Sequence, residues 1–117
     1  MRVQHKINYL EIPSKDILVS KNFFSQVFGW SFKDYGPEYT AFVDAGIDGV
    51  FYQSSETVSI DQGSVLVVLY SADLEQTQGE AQDAGGMICK DIFMFPGGRR
   101  FHFKDPVGNE FAVWSDK

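Results

Sequence analysis

Cysteine, basic residues and long apolar runs are scarce in this sequence. Cys89 is the single cysteine among 117 residues, so no disulfide can form within the chain. The longest apolar run, Val65 to Tyr70, is far too short to cross a bilayer as a helix. The stretch from Met1 to Lys6 lacks the apolar core of a secretory signal. Together these absences predict a cytoplasmic protein without a membrane anchor.

The shortage of basic residues excludes one class of partner. Ten Lys and Arg against sixteen Asp and Glu give a formal net charge of −6. Nucleic-acid binding needs a basic footprint, and the adjacent pair Arg99 and Arg100 is too small to supply one. We therefore expect no nucleic-acid partner. With 44% apolar residues, the chain can bury the core of a single globular domain.

What the sequence does contain is an internal duplication. Asp16 opens one predicted helix, and Asp73 opens another in the second half of the chain. The first helix ends at Gly29 and the second at Gly86, so the helix ends repeat with the same spacing as the helix starts. This spacing far exceeds the period of solenoid repeats, so we interpret it as one duplicated module.

Each copy of the module has the predicted element order β-α-β-β-β. After the helix, three short strands separated by turn residues complete each copy. The last strand of the first copy, at 50–52, matches 111–113 in the second copy, with a slightly larger spacing than that between the helices. The sequence therefore predicts one α+β domain over residues 1–117, with module one at about 1–56 and module two at about 62–117.

Side-chain alternation assigns the residues of each strand to two faces of a sheet. One face is apolar and must cover the helix of its module, which leaves a helix-free face on the other side. Large exposed aromatic side chains are costly, so we expect this face to line a ligand cleft; the alternative is a flat, solvated face. The predicted ligand-binding residues on the helix-free face are Tyr9, Glu11, Phe51, Gln53, His102 and Trp114.

Three side chains assigned to that face are candidates for proton transfer. His102 can exchange a proton near neutral pH, and Glu11 and Glu110 could form an acid–base pair or bind a cation. The simpler interpretation is that His102 is partly exposed and that both glutamates face solvent unpaired. The sequence leaves these two interpretations open.

Two motifs carry a resemblance to a known family. One is the string from Phe23 to Trp30 at the end of the first helix, and the other is the Asp-Pro-Val-Gly-Asn turn that starts at Asp105. With these motifs the chain resembles the vicinal oxygen chelate superfamily, which includes glyoxalase I, bleomycin resistance proteins, fosfomycin resistance enzymes and extradiol dioxygenases. The resemblance implies two βαβββ modules forming curved mixed sheets around a cleft, commonly in homodimers.

The resemblance also implies where a divalent metal would be held. Family enzymes take ligands from the first and last strands of each module, and the corresponding positions here are Tyr9, Phe51, Leu66 and Ala112. Leu, Phe and Ala have no donor atom, and a neutral Tyr is a poor ligand for such ions. We therefore expect no divalent metal and no other cofactor.

Three hypotheses about function follow. The favoured one is a metal-free protein that binds a small organic molecule between aromatic side chains, as the bleomycin-sequestering members of the superfamily do. The second is a metal-dependent lyase, isomerase or dioxygenase with displaced ligands, of which His102, Glu110 and Glu11 are the candidates. The third is a dimeric interaction module without a ligand.

Overall fold

The computed structural model describes residues 2–117 and divides into two compact units. The first unit extends to Glu56, and the second begins at Thr57. Each unit contains one α-helix and one four-stranded mixed sheet, so the predicted α+β class and the order β-α-β-β-β are confirmed. None of the helices in this part of the chain has the length and apolar character needed to span a membrane.

The first unit places its helix between the first and second strands of the sheet. Its elements are β1 (Leu10–Ser14), α1 (Ile17–Phe28), β2 (Ser31–Asp34), β3 (Tyr39–Val43) and β4 (Gly49–Gln53). The strand order is β1-β4-β3-β2, in which β1 runs parallel to β4 and the other neighbours are antiparallel.

The second unit repeats this topology after a short 3₁₀ turn at Ile60–Gln62. Its elements are β5 (Val67–Tyr70), α2 (Leu74–Asp83), β6 (Met87–Phe95), β7 (Gly98–Lys104) and β8 (Glu110–Ser115). The strand order is β5-β8-β7-β6, with β5 parallel to β8.

Both helices begin at the aspartates that the sequence identifies. The Asp16 carboxylate accepts the Val19 N–H at 3.3 Å, and the Asp73 carboxylate accepts the Gln76 N–H at 3.1 Å. Each bond satisfies a donor that would otherwise be left without a partner in the first helical turn. Gly29 follows α1 with φ of 72°, the left-handed conformation that glycine adopts without steric cost.

Phenylalanine dominates the core of each unit. In the first unit, Phe24 of α1 stacks on Trp30 with ring centroids 4.7 Å apart and packs on Phe51 at 5.4 Å. In the second unit, α2 lies against β6, β7 and β8 and buries Leu74 and Ala81. The sheet residues with no exposed surface on that side are Phe101, Phe103, Phe111 and Val113.

Two strands depart from what their residue types favour. Proline usually ends a strand, but β1 continues through Pro13 to Ser14. This is possible because β1 is an edge strand, where a residue without an N–H can be tolerated. The apolar composition of β5 is typical of a strand buried on both faces, but Val68 is 42% exposed and Tyr70 is 49% exposed.

Candidate functional site

The register of the second sheet defines its helix-free face. Ala112 of β8 lies between His102 of β7 and Val68 of β5, and Trp114 lies between Arg100 and Tyr70 in the same way. Partners in register point to the same side of a sheet. This side is opposite to the one that Phe101 and Val113 present to α2, as alternation predicts.

The first sheet corrects the predicted positions of Phe51 and Gln53. Phe51 pairs with Ile12 and has no exposed surface, because its ring packs against Phe24 of α1. Gln53 pairs with Ser14 on the same side, and its side-chain amide donates to the Lys15 carbonyl at 2.8 Å. The assignment of both residues to the helix-free face was therefore wrong.

The error comes from a one-residue slip in aligning the two copies. Glu11 pairs with Val50, and Val68, the equivalent of Glu11 in the second copy, pairs with Ala112. Val50 is therefore the equivalent of Ala112, whereas the sequence comparison matched Val50 to Phe111. A shift of one residue moves every side chain of a strand to the opposite face. Val50 and Tyr52, not Phe51 and Gln53, therefore share the helix-free face.

The metal positions of the resembling family have no suitable donors after this correction. They read Tyr9, Val50, Leu66 and Ala112, of which only Tyr9 carries a polar side-chain atom. The Tyr9 hydroxyl donates to the Glu11 carboxylate at 3.2 Å. Within residues 2–117 there is no group of three or more His, Cys, Asp or Glu side chains that could hold an ion. The residues present do not fit the family metal.

His102 and Glu110 form a buried pair on the second sheet. The imidazole Nδ1 lies 2.9 Å from the Glu110 carboxylate, and the two residues are 1% and 6% exposed. This contact favours the tautomer in which Nδ1 carries the hydrogen and donates it to the carboxylate. The Nε2 atom is buried and has no hydrogen-bond partner among the described residues. The simpler of the two interpretations, a partly exposed His102 and an unpaired, solvent-facing Glu110, is therefore wrong.

Glu11 is surrounded by tyrosines on the helix-free face of the first sheet. Its carboxylate, which is exposed, accepts hydrogen bonds from the Tyr9 hydroxyl and, at 3.3 Å, from the Tyr39 hydroxyl. The bond to Glu11 raises the pKa of Tyr9. Partial removal from solvent is the main cause that raises the pKa of Tyr39, and the negative charge of Glu11 raises that pKa further. Tyr9, Tyr35 and Tyr39 line an open groove of about 520 Å³ on this unit.

Arg100 is a site residue that the sequence reasoning did not select. Its guanidinium carbon lies 5.1 Å from the Phe93 ring centroid and 4.9 Å from the Phe95 ring centroid. Trp114 is its cross-strand neighbour and makes an edge contact with Phe95 at 6.2 Å. Alternation did place Arg100 beside His102. The two phenylalanines were hidden, because β6 has register shifts that break its alternation.

These side chains form one surface, which we call the Trp114 face. Tyr70 adds a ring centroid 5.2 Å from that of Trp114, and Phe93 lies 5.8 Å from the His102 ring. The Trp114 face consists of Tyr70, Phe93, Phe95, Arg100, His102 and Trp114.

Asp105 opens the turn that leads into β8 and is itself buried. It accepts the Asn109 N–H at 2.8 Å and the Val107 N–H at 3.2 Å. Burial nevertheless raises the pKa of Asp105 to about 7. Its second oxygen is buried and has no hydrogen-bond partner among the described residues. This carboxyl shapes the turn that positions Glu110.

Solved structures share the fold over nearly the whole chain. A glyoxalase/bleomycin resistance protein/dioxygenase family enzyme from Burkholderia phytofirmans PsJN has a TM-score of 0.78 at 16% identity, over 94% of this chain and 98% of that one. A glyoxalase-related enzyme from Fulvimarina pelagi has a TM-score of 0.78 at 16% identity, over 95% and 88%. Lactoylglutathione lyase from Agrobacterium tumefaciens has a TM-score of 0.70 at 14% identity, over 97% and 95%.

Identity at this level shows a common fold and not a common activity. No curated protein matches the chain. The family model of the Glyoxalase/Bleomycin resistance protein/Dioxygenase superfamily matches residues 6–113. The chain therefore belongs to this superfamily.

Proposed function

We propose that this protein binds a small organic molecule on the Trp114 face and does so without a metal ion. The observation that carries the proposal is the group of aromatic rings around Trp114, on the side of the sheet that α2 does not cover. Trp114 keeps part of its surface exposed, and Tyr70 is 49% exposed. Ligand sites in proteins commonly combine such apolar walls with a few polar groups.

The residues at the metal-ligand positions of the family favour binding of a ligand over chemistry at a metal ion. The family positions carry Val50, Leu66 and Ala112, which offer no ligand atom. Tyr9, Glu11 and Tyr39 are joined by hydrogen bonds in the first unit. The second unit carries further aromatic walls beside a cation, and the ligand contacts proposed there are Tyr70, Phe93, Phe95, Arg100 and Trp114.

A second candidate function is enzymatic, and one observation favours it. His102 has its Nδ1 bound to Glu110 and its Nε2 unpartnered among the described residues. An imidazole oriented by a carboxylate is a common general base. In this arrangement it would accept a proton at Nε2 from a bound substrate once the ring is uncovered. Loss of turnover in His102→Gln with binding retained would favour this function, and turnover unaffected by that change would dismiss it.

The binding proposal is tested by a ligand screen on protein treated with EDTA. We expect thermal-shift and native mass measurements to identify small organic ligands, and Trp114→Ala to abolish their binding. Loss of a ring that forms the wall of a site typically costs a few kcal/mol of affinity. The control is Tyr35→Ala, which removes an aromatic residue of the first unit that is 57% exposed. Equal effects of the two changes would contradict the proposal.

We also propose that the protein is a cytoplasmic homodimer. Each four-stranded sheet ends in edge strands, and Met94 on the edge strand β6 is 76% exposed. A second chain that covers such an edge would remove exposed apolar surface and unpaired backbone groups. Sedimentation at micromolar concentration should give twice the mass of one 13.2 kDa chain. A mass equal to one chain would contradict the dimer.

A further inference from the structure

The strands of the second sheet carry more basic than acidic residues on their helix-free side, although the chain as a whole has a net charge of −6. The strand register places Lys90, Arg100 and Lys104 on the same side of the second sheet as His102. Among the strand residues on this side, Glu110 supplies the carboxylate, and it is hydrogen-bonded to His102. A positive surface on a negatively charged chain indicates a ligand with negative charge.

The two adjacent arginines of β7 differ in their partners. Arg99 forms a two-point salt bridge with Glu75 of α2 and also donates to the Lys117 carbonyl. By contrast, no carboxylate among residues 2–117 lies within salt-bridge distance of Arg100. Its Nε atom is buried and has no hydrogen-bond partner in that part of the chain. Arg100 is therefore a partly buried cation whose N–H donors lack partners. Leaving such donors without a hydrogen bond costs free energy unless a ligand binds them.

Phe93 and Phe95 hold the Arg100 guanidinium in place. Both ring centroids lie close to the guanidinium carbon, at 5.1 and 4.9 Å. Contacts of this kind favour the cation and reduce the conformational freedom of a long side chain before any ligand arrives. A fixed planar guanidinium can bind a carboxylate with two parallel hydrogen bonds.

An aromatic surface lies directly beside this cation. Trp114 is the register partner of Arg100 across β7 and β8, and Tyr70 follows on β5. The acidic residue at this rim, Asp116, accepts the Tyr70 hydroxyl at 2.6 Å, and that bond lowers the pKa of Asp116. A ligand would therefore meet a ring surface and a guanidinium side by side.

We infer that the ligand of the Trp114 face is a small aromatic or conjugated carboxylate, whose carboxylate is bound by Arg100 while its ring packs on Trp114. This inference rests on the proposed binding function and adds the chemical class of the ligand. Lys90 and Lys104 contribute favourable charge near the same surface. The tyrosine groove of the first unit is lined by Arg2 and lies beside the exposed Glu11 carboxylate, so it lacks the combination of a guanidinium packed on aromatic rings and a neighbouring tryptophan.

The test compares two probes of nearly the same size and shape, the anion 2-naphthoate and the neutral 2-naphthamide. Isothermal titration calorimetry gives the Kd of each for the wild type and for three variants. Arg100→Met keeps an unbranched apolar stem between the two phenylalanine rings while removing the guanidinium. Arg99→Met is the matched control, because it removes the neighbouring arginine from the other side of the same strand. Trp114→Ala removes the aromatic surface.

We expect the wild type to bind 2-naphthoate at least tenfold more tightly than 2-naphthamide. Arg100→Met should weaken 2-naphthoate at least tenfold and 2-naphthamide by less than threefold. Arg99→Met should change neither affinity, and Trp114→Ala should weaken both. The comparison of the two probes on the wild type needs no variant, so it holds even if Arg100→Met fails to fold.

Two results would overturn the inference, and they are distinct from failure of the proposed function. Equal binding of both probes to the wild type, or no binding of 2-naphthoate at millimolar concentration, would overturn the anionic class. If Trp114→Ala still abolished binding of neutral ligands, the proposed function would stand without the inference. If no small organic molecule bound at all, the proposed function would fail together with it.

Discussion

The two units have the same topology but different helix-free faces. In both, a phenylalanine-rich core lies between one helix and a sheet with a parallel edge pair. In the first unit the opposite face centres on Glu11 and two tyrosine hydroxyls. In the second it carries Arg100, a buried His102–Glu110 pair and Trp114. The two units therefore share the packing of one helix on one sheet. The cationic and aromatic side chains that suggest a ligand lie together in the second unit.

The largest expected effect separates the two faces of the second sheet. Phe111→Ala should cost about 3–5 kcal/mol of the free energy of unfolding, because it opens a cavity under α2. Trp114→Ala should cost clearly less, since its ring is partly exposed. Urea denaturation of both variants gives the comparison. A larger loss in Trp114→Ala would reverse the assignment of faces and remove the site built on it.

The next effect compares the glutamates of the two units. Glu110→Ala should destabilise the protein by about 1–3 kcal/mol, because it leaves the buried His102 imidazole without its partner. Glu11→Ala should have little effect, since that carboxylate is exposed to solvent. Urea denaturation at neutral pH measures both. Similar losses would show that the two glutamates are not in different environments.

A further comparison concerns pH and the turn before β8. Asp105 has a pKa of about 7 in the folded chain against 3.8 in its unperturbed state. Between these values the folded state retains a proton that the unfolded state has released, so rising pH favours unfolding. The melting temperature should therefore fall as pH rises from 4.5 to 7.5, and Asp105→Asn should flatten this dependence.

The control for the pH experiment is Asp61→Asn, at an exposed position in the 3₁₀ turn. It should leave the dependence as it is in the wild type. A slope that persists unchanged in Asp105→Asn would show that another group is responsible.

The last expected effect is the absence of a change. Among residues 2–117, neither unit offers the donors of the family metal site, so we expect no near-stoichiometric zinc, nickel, manganese or iron in protein purified without added metal. EDTA treatment should leave ligand affinity unaltered. Elemental analysis that finds one tightly held ion per chain would support the enzymatic candidate and direct attention to His102 and Glu110.

Signals that act locally allowed much of the fold to be predicted. The aspartate caps, the helix-ending Gly29 and the alternation along β7 and β8 are each readable within a few residues. This is why His102, Glu110 and Trp114 were assigned to the correct face. The internal duplication then predicted that both halves of the chain share the same order of elements.

The errors arose where a position depends on pairing between distant strands. Phe51 was misplaced because the register of β4 on β1 is fixed by tertiary packing. The pairing of the last two strands also differs by one residue between the copies, since Ala41 pairs with Val50 and His102 pairs with Ala112. The His102–Glu110 contact requires the register of β7 on β8, in which Ala112 faces His102. Arg100 was overlooked because Phe93 and Phe95 follow irregularities in β6.

The most direct test of the difference between the units is backbone amide NMR spectroscopy during a titration with 2-naphthoate. The account predicts that signals of Arg100, His102 and Trp114 shift with a common saturation curve. Signals of Glu11 and Tyr39 should stay unchanged. Shifts centred on Glu11 and Tyr39, with Arg100 and Trp114 unaffected, would contradict the claim that the second unit carries the binding site.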